Sequence, residues 1–65
     1  MKKGNLKGEE IRSIRENDLG MNRVELAMKL GLATDHTLYM YETNRIKIPY
    51  LLEQEILRLK REKAN

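Results

Sequence analysis

The chain has 65 residues, a formal net charge of +3 and an isoelectric point near 9.4; 35% of its residues are charged and 40% apolar. This length allows one small domain with a thin core. The absence of cysteine excludes disulfides and thiolate metal sites, and a single histidine leaves no set of metal ligands. No apolar run is long enough to span a bilayer, and "MKKGNLKGEE" lacks the apolar stretch of a secretory leader, so the chain is expected in the cytoplasm.

Residues 1–7 are basic and contain Gly4; they read as a flexible arm whose lysines either touch phosphate or are merely solvated. A first helix is expected from Gly8 to about Asn17. Leu6 and Ile11 have the spacing of a hydrophobic staple, and Glu9 and Glu10 suit the positive end of the helix dipole. Lys7, at the cap position, is a poor capper, which predicts fraying there. "NDLG" (17–20) reads as a turn. In "MNRVELAMKLG" (21–31), Asn22 with Glu25 three residues on forms a capping box, and Met21 with Leu26 a staple. Leu26, Ala27 and Leu30 make the buried stripe, and Gly31 supplies the positive φ that ends a helix.

A third helix is expected from a Thr34 cap, with Asp35 first and Glu42 last. It carries Leu38, Tyr39, Met40 and Tyr41 in succession. A helix turns about 100° per residue, so four consecutive large side chains cannot face one core. Leu38 and Tyr41, three apart, share the inner face; Asp35, His36, Tyr39 and Met40 must then face outward. Asn44 is a plausible left-handed terminator. Pro49 opens a final helix over 49–63, with Leu52, Ile56 and Leu59 as its inner stripe. Tyr50, Leu51 and Leu57 are surplus to that stripe, which assigns dimerisation to them by elimination. Arg58, Lys60, Arg61 and Lys63 suit the negative end of this helix and need no further role.

The expected fold is therefore all-α: a compact bundle of four to five short helices in a single domain over 1–65. Two of the helices (22–43) are joined by a tight turn, the arrangement of a helix-turn-helix. The stretch "MNRVELAMKLGLATDHTLYMYETNRIKIP" resembles the helix-turn-helix of the Cro/XRE-type phage and bacterial repressors. The matching positions are Gly20-Met21-Asn22-Arg23, Glu25-Leu26-Ala27, Leu30-Gly31-Leu32, Thr37-Leu38 with Tyr41-Glu42, and Asn44-Arg45 before Pro49. Three departures stand out. The turn "LAT" and the join "RENDLG" are each one residue longer than usual, and Asn44 replaces the usual glycine. The long turn with "IPYLLEQEIL" is also similar to the small anti-CRISPR-associated regulators.

The resemblance implies a lambda-repressor-like fold whose final helix serves both core packing and dimerisation. It further implies a homodimer that binds an inverted repeat in double-stranded DNA and represses its own operon, which the narrower resemblance makes an anti-CRISPR operon. The third helix then enters the major groove. Asp35, His36, Tyr39 and Met40 become base-contact candidates, although Asp35 equally suits a helix start and His36 could be a solvated residue. Asn22, Arg23, Thr37, Thr43, Arg45 and Lys47 become phosphate-contact candidates. The family's pairing of a late first-helix arginine with the glutamate ending the third helix maps onto Arg15 and Glu42. No cofactor, metal, membrane or small-molecule ligand is expected, and no catalytic constellation is present. The alternative is a small helical protein-interaction module, such as an antitoxin or inhibitor, with Tyr39 and Met40 as its contact face.

Overall fold

The computed structural model describes residues 4–64, and within them the chain is helical with no strand. Helix α1 (Gly8–Ser13) runs straight into a π turn (Ile14–Asp18). Helices α2 (Arg23–Lys29), α3 (Asp35–Glu42) and α4 (Tyr50–Ala64) follow. α3 is central: α1 and α2 both pack on it, and α4 packs on the π turn. No described helix is long and apolar enough to cross a membrane.

The core gathers one apolar stripe from each helix. Ile11, Leu26, Leu38, Ile48 and Ile56 are almost completely buried, with Ile14, Leu19, Ala27, Leu30 and Tyr41 around them. Leu6, Met21, Leu32, Leu52, Leu57 and Leu59 cover its edges. Two core members come from outside the expected stripes. Leu19 sits in the expected turn, and Ile48 lies in the loop before α4.

The join after α1 opens with the π turn. The Leu19 N–H donates to the Ile14 carbonyl at 2.9 Å, a five-residue step that takes up one extra residue without breaking the helix. It also keeps Arg15 facing inward, at 6% exposure. α2 begins with the complete capping box: Asn22 Oδ1 accepts from the Glu25 N–H (2.8 Å), and Glu25 Oε1 accepts from the Asn22 N–H (2.9 Å).

α2 and α3 end in the same way. After α2, Gly31 has φ +74°, its N–H donates to Met28, and the Leu32 N–H donates to Ala27. After α3, Asn44 has φ +63°, its N–H donates to Tyr41, and the Arg45 N–H donates to Met40. Both are Schellman closures, which satisfy the last carbonyls through one left-handed residue.

Several expectations need correction. Thr34 occupies the cap position of α3, but its side chain makes no capping bond. α4 starts at Tyr50, with Pro49 just outside and its carbonyl accepting from the Glu53 N–H. The expected flexible arm is tied down over residues 4–7, while residues 1–3 lie outside the described part. The Gly4 N–H donates to the Ile48 carbonyl at 2.8 Å, and Glu53 Oε1 accepts from the Asn5 (2.6 Å) and Leu6 (2.7 Å) N–H groups. The expected fraying at Lys7 is also countered, because the Gly8 N–H finds Asn44 Oδ1 at 2.8 Å and the Lys7 N–H finds Glu10 at 3.1 Å. Two of the four orphan donors of that helix end are thereby satisfied.

Candidate nucleic-acid interface

Two residues of α3 fix how the helix is held. Leu38 is fully buried and Tyr41 is 7% exposed, so the opposite side of the helix must face outward. On that side His36 and Tyr39 are exposed, while Asp35 and Met40 are half-buried. The four outward residues expected from the sequence therefore share one face, but unequally. Met40 is partly covered, which leaves Tyr39 as its most prominent large side chain.

Tyr39 is braced on the protein. The Arg23 guanidinium, from the first turn of α2, lies 5.0 Å from the centre of the Tyr39 ring. That is within cation–π range and links the two helices at the surface. The His36 ring stacks on Tyr39 at 6.0 Å between centroids, with 24° between the planes. Arg23, His36 and Tyr39 thus form one continuous polar and aromatic patch across α2 and α3.

Beneath the patch lies a buried ion pair. Arg15 Nε and Nη2 donate to the two carboxylate oxygens of Glu42 at 2.7 and 3.2 Å, and Arg15 Nη1 donates to the Met21 carbonyl at 3.1 Å. The two side chains are 8% and 5% exposed. A two-pronged pair of this kind has fixed geometry, so it sets the angle of α3 against α1 and the α2 approach. Arg23 Nε lies 3.9 Å from the same carboxylate. It is the buried side-chain nitrogen without a hydrogen-bond partner among the described residues. Arg23 is therefore held by charge and by the Tyr39 ring rather than by hydrogen bonds.

The remaining candidates divide. Arg45 and Lys47 are exposed in the loop after α3, and Asn22 is exposed at the start of α2. Thr37 is half-buried. The Thr43 hydroxyl donates to the Tyr39 carbonyl at 2.9 Å, so its proton is committed to the helix and is not available to a phosphate. Among the residues assigned to dimerisation, Leu51 is 78% exposed, Tyr50 is half-buried, and Leu57 packs against the monomer's own core. Leu57 is half-buried: it packs on the core edge and lines a groove with Leu6 and Ile14.

Three contributors were not legible as such. Gly8 lets α1 approach the end of α3 more closely than any side chain would permit. Asn44 joins α3 to α1 with both ends of its amide: Oδ1 accepts from Gly8 and Nδ2 donates to Glu9 at 2.9 Å. Glu53 is 4% exposed and holds the N-terminal segment. A signal for Glu53 did exist, since an acid three residues before Ile56 falls on the inner stripe of α4. Among the described residues no group of side chains could hold a metal ion. No protein-family description, curated protein or solved structure matches this chain.

Proposed function

We propose that the chain is a sequence-specific repressor of double-stranded DNA, with α2, the Gly31 turn and α3 as its helix-turn-helix. The observation that carries this reading is the presentation of α3. Its outward face (Asp35, His36, Tyr39, Met40) is held rigid by the buried Arg15–Glu42 pair and flanked by the cations Arg23, Arg45 and Lys47. A helix presented this way suits the major groove, with cations at its margins for the backbone. Tyr39 and Met40 offer apolar contact to a thymine methyl, and His36 and Asp35 offer polar contact to base edges.

The protein acts as a homodimer on an inverted repeat in this reading. A two-fold pair would have to set its two α3 helices about 34 Å apart, one turn of the duplex. Leu51, exposed at the start of α4, is the apolar residue offered for pairing, with Tyr50 beside it. Sedimentation of the wild type and of Leu51→Glu tests this: the variant is expected to be monomeric at concentrations where the wild type is a dimer. Autoregulation of an anti-CRISPR operon is the narrowest form of the proposal, and the identity of the adjacent gene tests it.

The decisive measurement is binding to the DNA upstream of its own gene over a salt series. Affinity is expected to fall steeply with salt and to remain highest for one inverted repeat. Absent or sequence-blind binding would instead favour a protein-interaction module. One observation speaks for that rival: Val24 and Met28, one turn apart on α2, are 52% and 75% exposed.

A further inference from the structure

Between the N-terminal segment and the loop after α3 lies a cavity of about 160 Å³, lined among others by Asn5, Lys7, Tyr41, Asn44, Ile46 and Lys47. Its two walls come from stretches far apart in the sequence, residues 5–7 and 41–47. The first is held in place by the Gly4–Ile48 bond and by the Glu53 carboxylate, which grips the N–H groups of Asn5 and Leu6. The second follows the Asn44 closure of α3. Lys7 and Lys47 therefore meet at one cavity because of backbone hydrogen bonds, not because a tail happens to lie there.

The charge at this cavity is unbalanced. Arg12, Arg15, Arg23, Arg58 and Lys60 each have a carboxylate within ion-pair distance, whereas Lys7 and Lys47, like Lys29, Arg45, Arg61 and Lys63, have none among the described residues; of these, Lys7 and Lys47 line the same cavity. The nearby acids face other donors. Glu9 accepts from Asn44 Nδ2, Glu10 from the Lys7 N–H, and Glu53 from Asn5 and Leu6. None of these three lines the cavity. Two lysines without a carboxylate partner and the polar Asn5, all lining one small cavity, make a site for an oxyanion.

We propose that Lys7 and Lys47 jointly bind one phosphate group. Resting on the DNA-binding reading above, this group is a phosphodiester of the duplex backbone beside α3; Glu53 is the positioning residue that brings Lys7 to it. The N-terminal segment then takes part in DNA binding as a fixed wall.

The test measures the salt dependence of duplex binding for Lys7→Gln, Lys47→Gln and the double variant, with Lys63→Gln as a control on α4. Each phosphate neutralised contributes about 0.9 to the slope of log affinity against log salt. If both lysines serve one phosphate in each protomer of the dimer, the double variant loses about two units of slope. A loss of about four units would mean two separate phosphates per protomer and overturn the shared site. An equal loss in Lys63→Gln would mean a general charge effect and overturn it as well. A second arm titrates inorganic phosphate, against chloride at equal ionic strength, and follows the backbone amide signals of Asn5, Ile46 and Lys47. Saturable shifts that vanish in the double variant support the site. If they occur in a wild type that binds no duplex, the DNA reading falls while the oxyanion site stands, with free phosphate as its ligand. Duplex binding with an unchanged slope in the double variant, together with no saturable phosphate shift, overturns the site and leaves the DNA reading intact.

Discussion

Replacing Gly8 with alanine should be among the most damaging single-methyl changes available to this chain. A Cβ at Gly8 would overlap the Glu42 carbonyl oxygen and lie 2.5 Å from the Glu42 carbonyl carbon and 2.9 Å from the Tyr41 oxygen. Carbon–oxygen contacts normally stop at about 3.3 Å, so α1 would have to withdraw from the end of α3 by roughly 1 Å. The atoms in the way are backbone and cannot rotate aside. Forced overpacking of this kind costs about 1–3 kcal/mol. Withdrawal also stretches the Gly8–Asn44 hydrogen bond, worth about 1 kcal/mol. Against this, alanine gains at most about 1 kcal/mol over glycine in helix propensity, and less in the first turn. The net loss is about 2–3 kcal/mol, or roughly 10–20 °C in melting temperature for a domain this small. Thermal melts followed by circular dichroism measure it. Gly8→Ser and Gly8→Asn should fare no better, since the obstacle is the Cβ itself. Gly20 is the contrast: it has φ +62° and open space around it, so Gly20→Asn should be milder than Gly20→Ala. A Gly8→Ala protein that melts within a few degrees of the wild type would refute the close-approach account.

Three further outcomes are expected. Glu42→Ala should destabilise by about 3–5 kcal/mol because it strands the buried Arg15 charge, whereas the double replacement Arg15→Met, Glu42→Leu should lose much less; urea unfolding compares them, and equal losses would argue against a buried-charge penalty. Asn44→Gly should cost about 1 kcal/mol by removing the cap on Gly8 although it relaxes the backbone, and Asn44→Ala should cost more because it adds left-handed strain of about 1–2 kcal/mol. An Asn44→Gly protein as stable as the wild type would show that the side-chain bonds to α1 contribute nothing. Burial raises the Tyr41 phenol above its ordinary value of 10.0, so the folded state keeps its proton longer than the unfolded chain. Its contribution to stability is full below the unfolded value and is lost as pH rises through the folded one; Tyr41→Phe should flatten that alkaline decline in chemical unfolding measured across pH.

The helices were legible because their signals are local. A capping box at Asn22 and Glu25, a glycine after Leu30 and an apolar pair at Leu38 and Tyr41 each act within a turn or two of the chain. The inward and outward sides of α3 followed from helical periodicity alone, apart from the partial cover over Met40. What was not legible depends on pairs far apart in sequence. Asn44 reads as no more than a left-handed terminator when only the backbone is considered. In the structure its amide joins Gly8 and Glu9, 36 and 35 residues away. Glu53 is 48 residues from Asn5, and nothing near Glu53 announces a partner there. Leu57 is a similar case: how far a flanking leucine joins the core depends on how deeply α4 settles against the π turn. The basic first residues invited the reading of a solvated tail, since charge was visible and the buried carboxylate holding residues 5 and 6 was not.

The two joins flank α2, and neither disturbs the contact between α1 and α3. The π turn leaves Arg15 facing Glu42, and the second join lies beyond the Gly31 closure, ahead of α3. The α1–α3 contact is locked three times over, by the absent side chain at Gly8, by the Asn44 amide and by the Arg15–Glu42 pair. The surface link from α2 to α3 is looser in kind. It consists of the Arg23 guanidinium over Tyr39 and a 3.9 Å approach to Glu42, with Arg23 Nε making no hydrogen bond. Cation–π and longer-range charge contacts depend less on direction than hydrogen bonds do, so they tolerate small rotations. In the proposed complex, the face that reads bases is therefore anchored to the rigid half of the molecule. The start of α2, which meets the backbone, is where small adjustments to a particular duplex would be taken up.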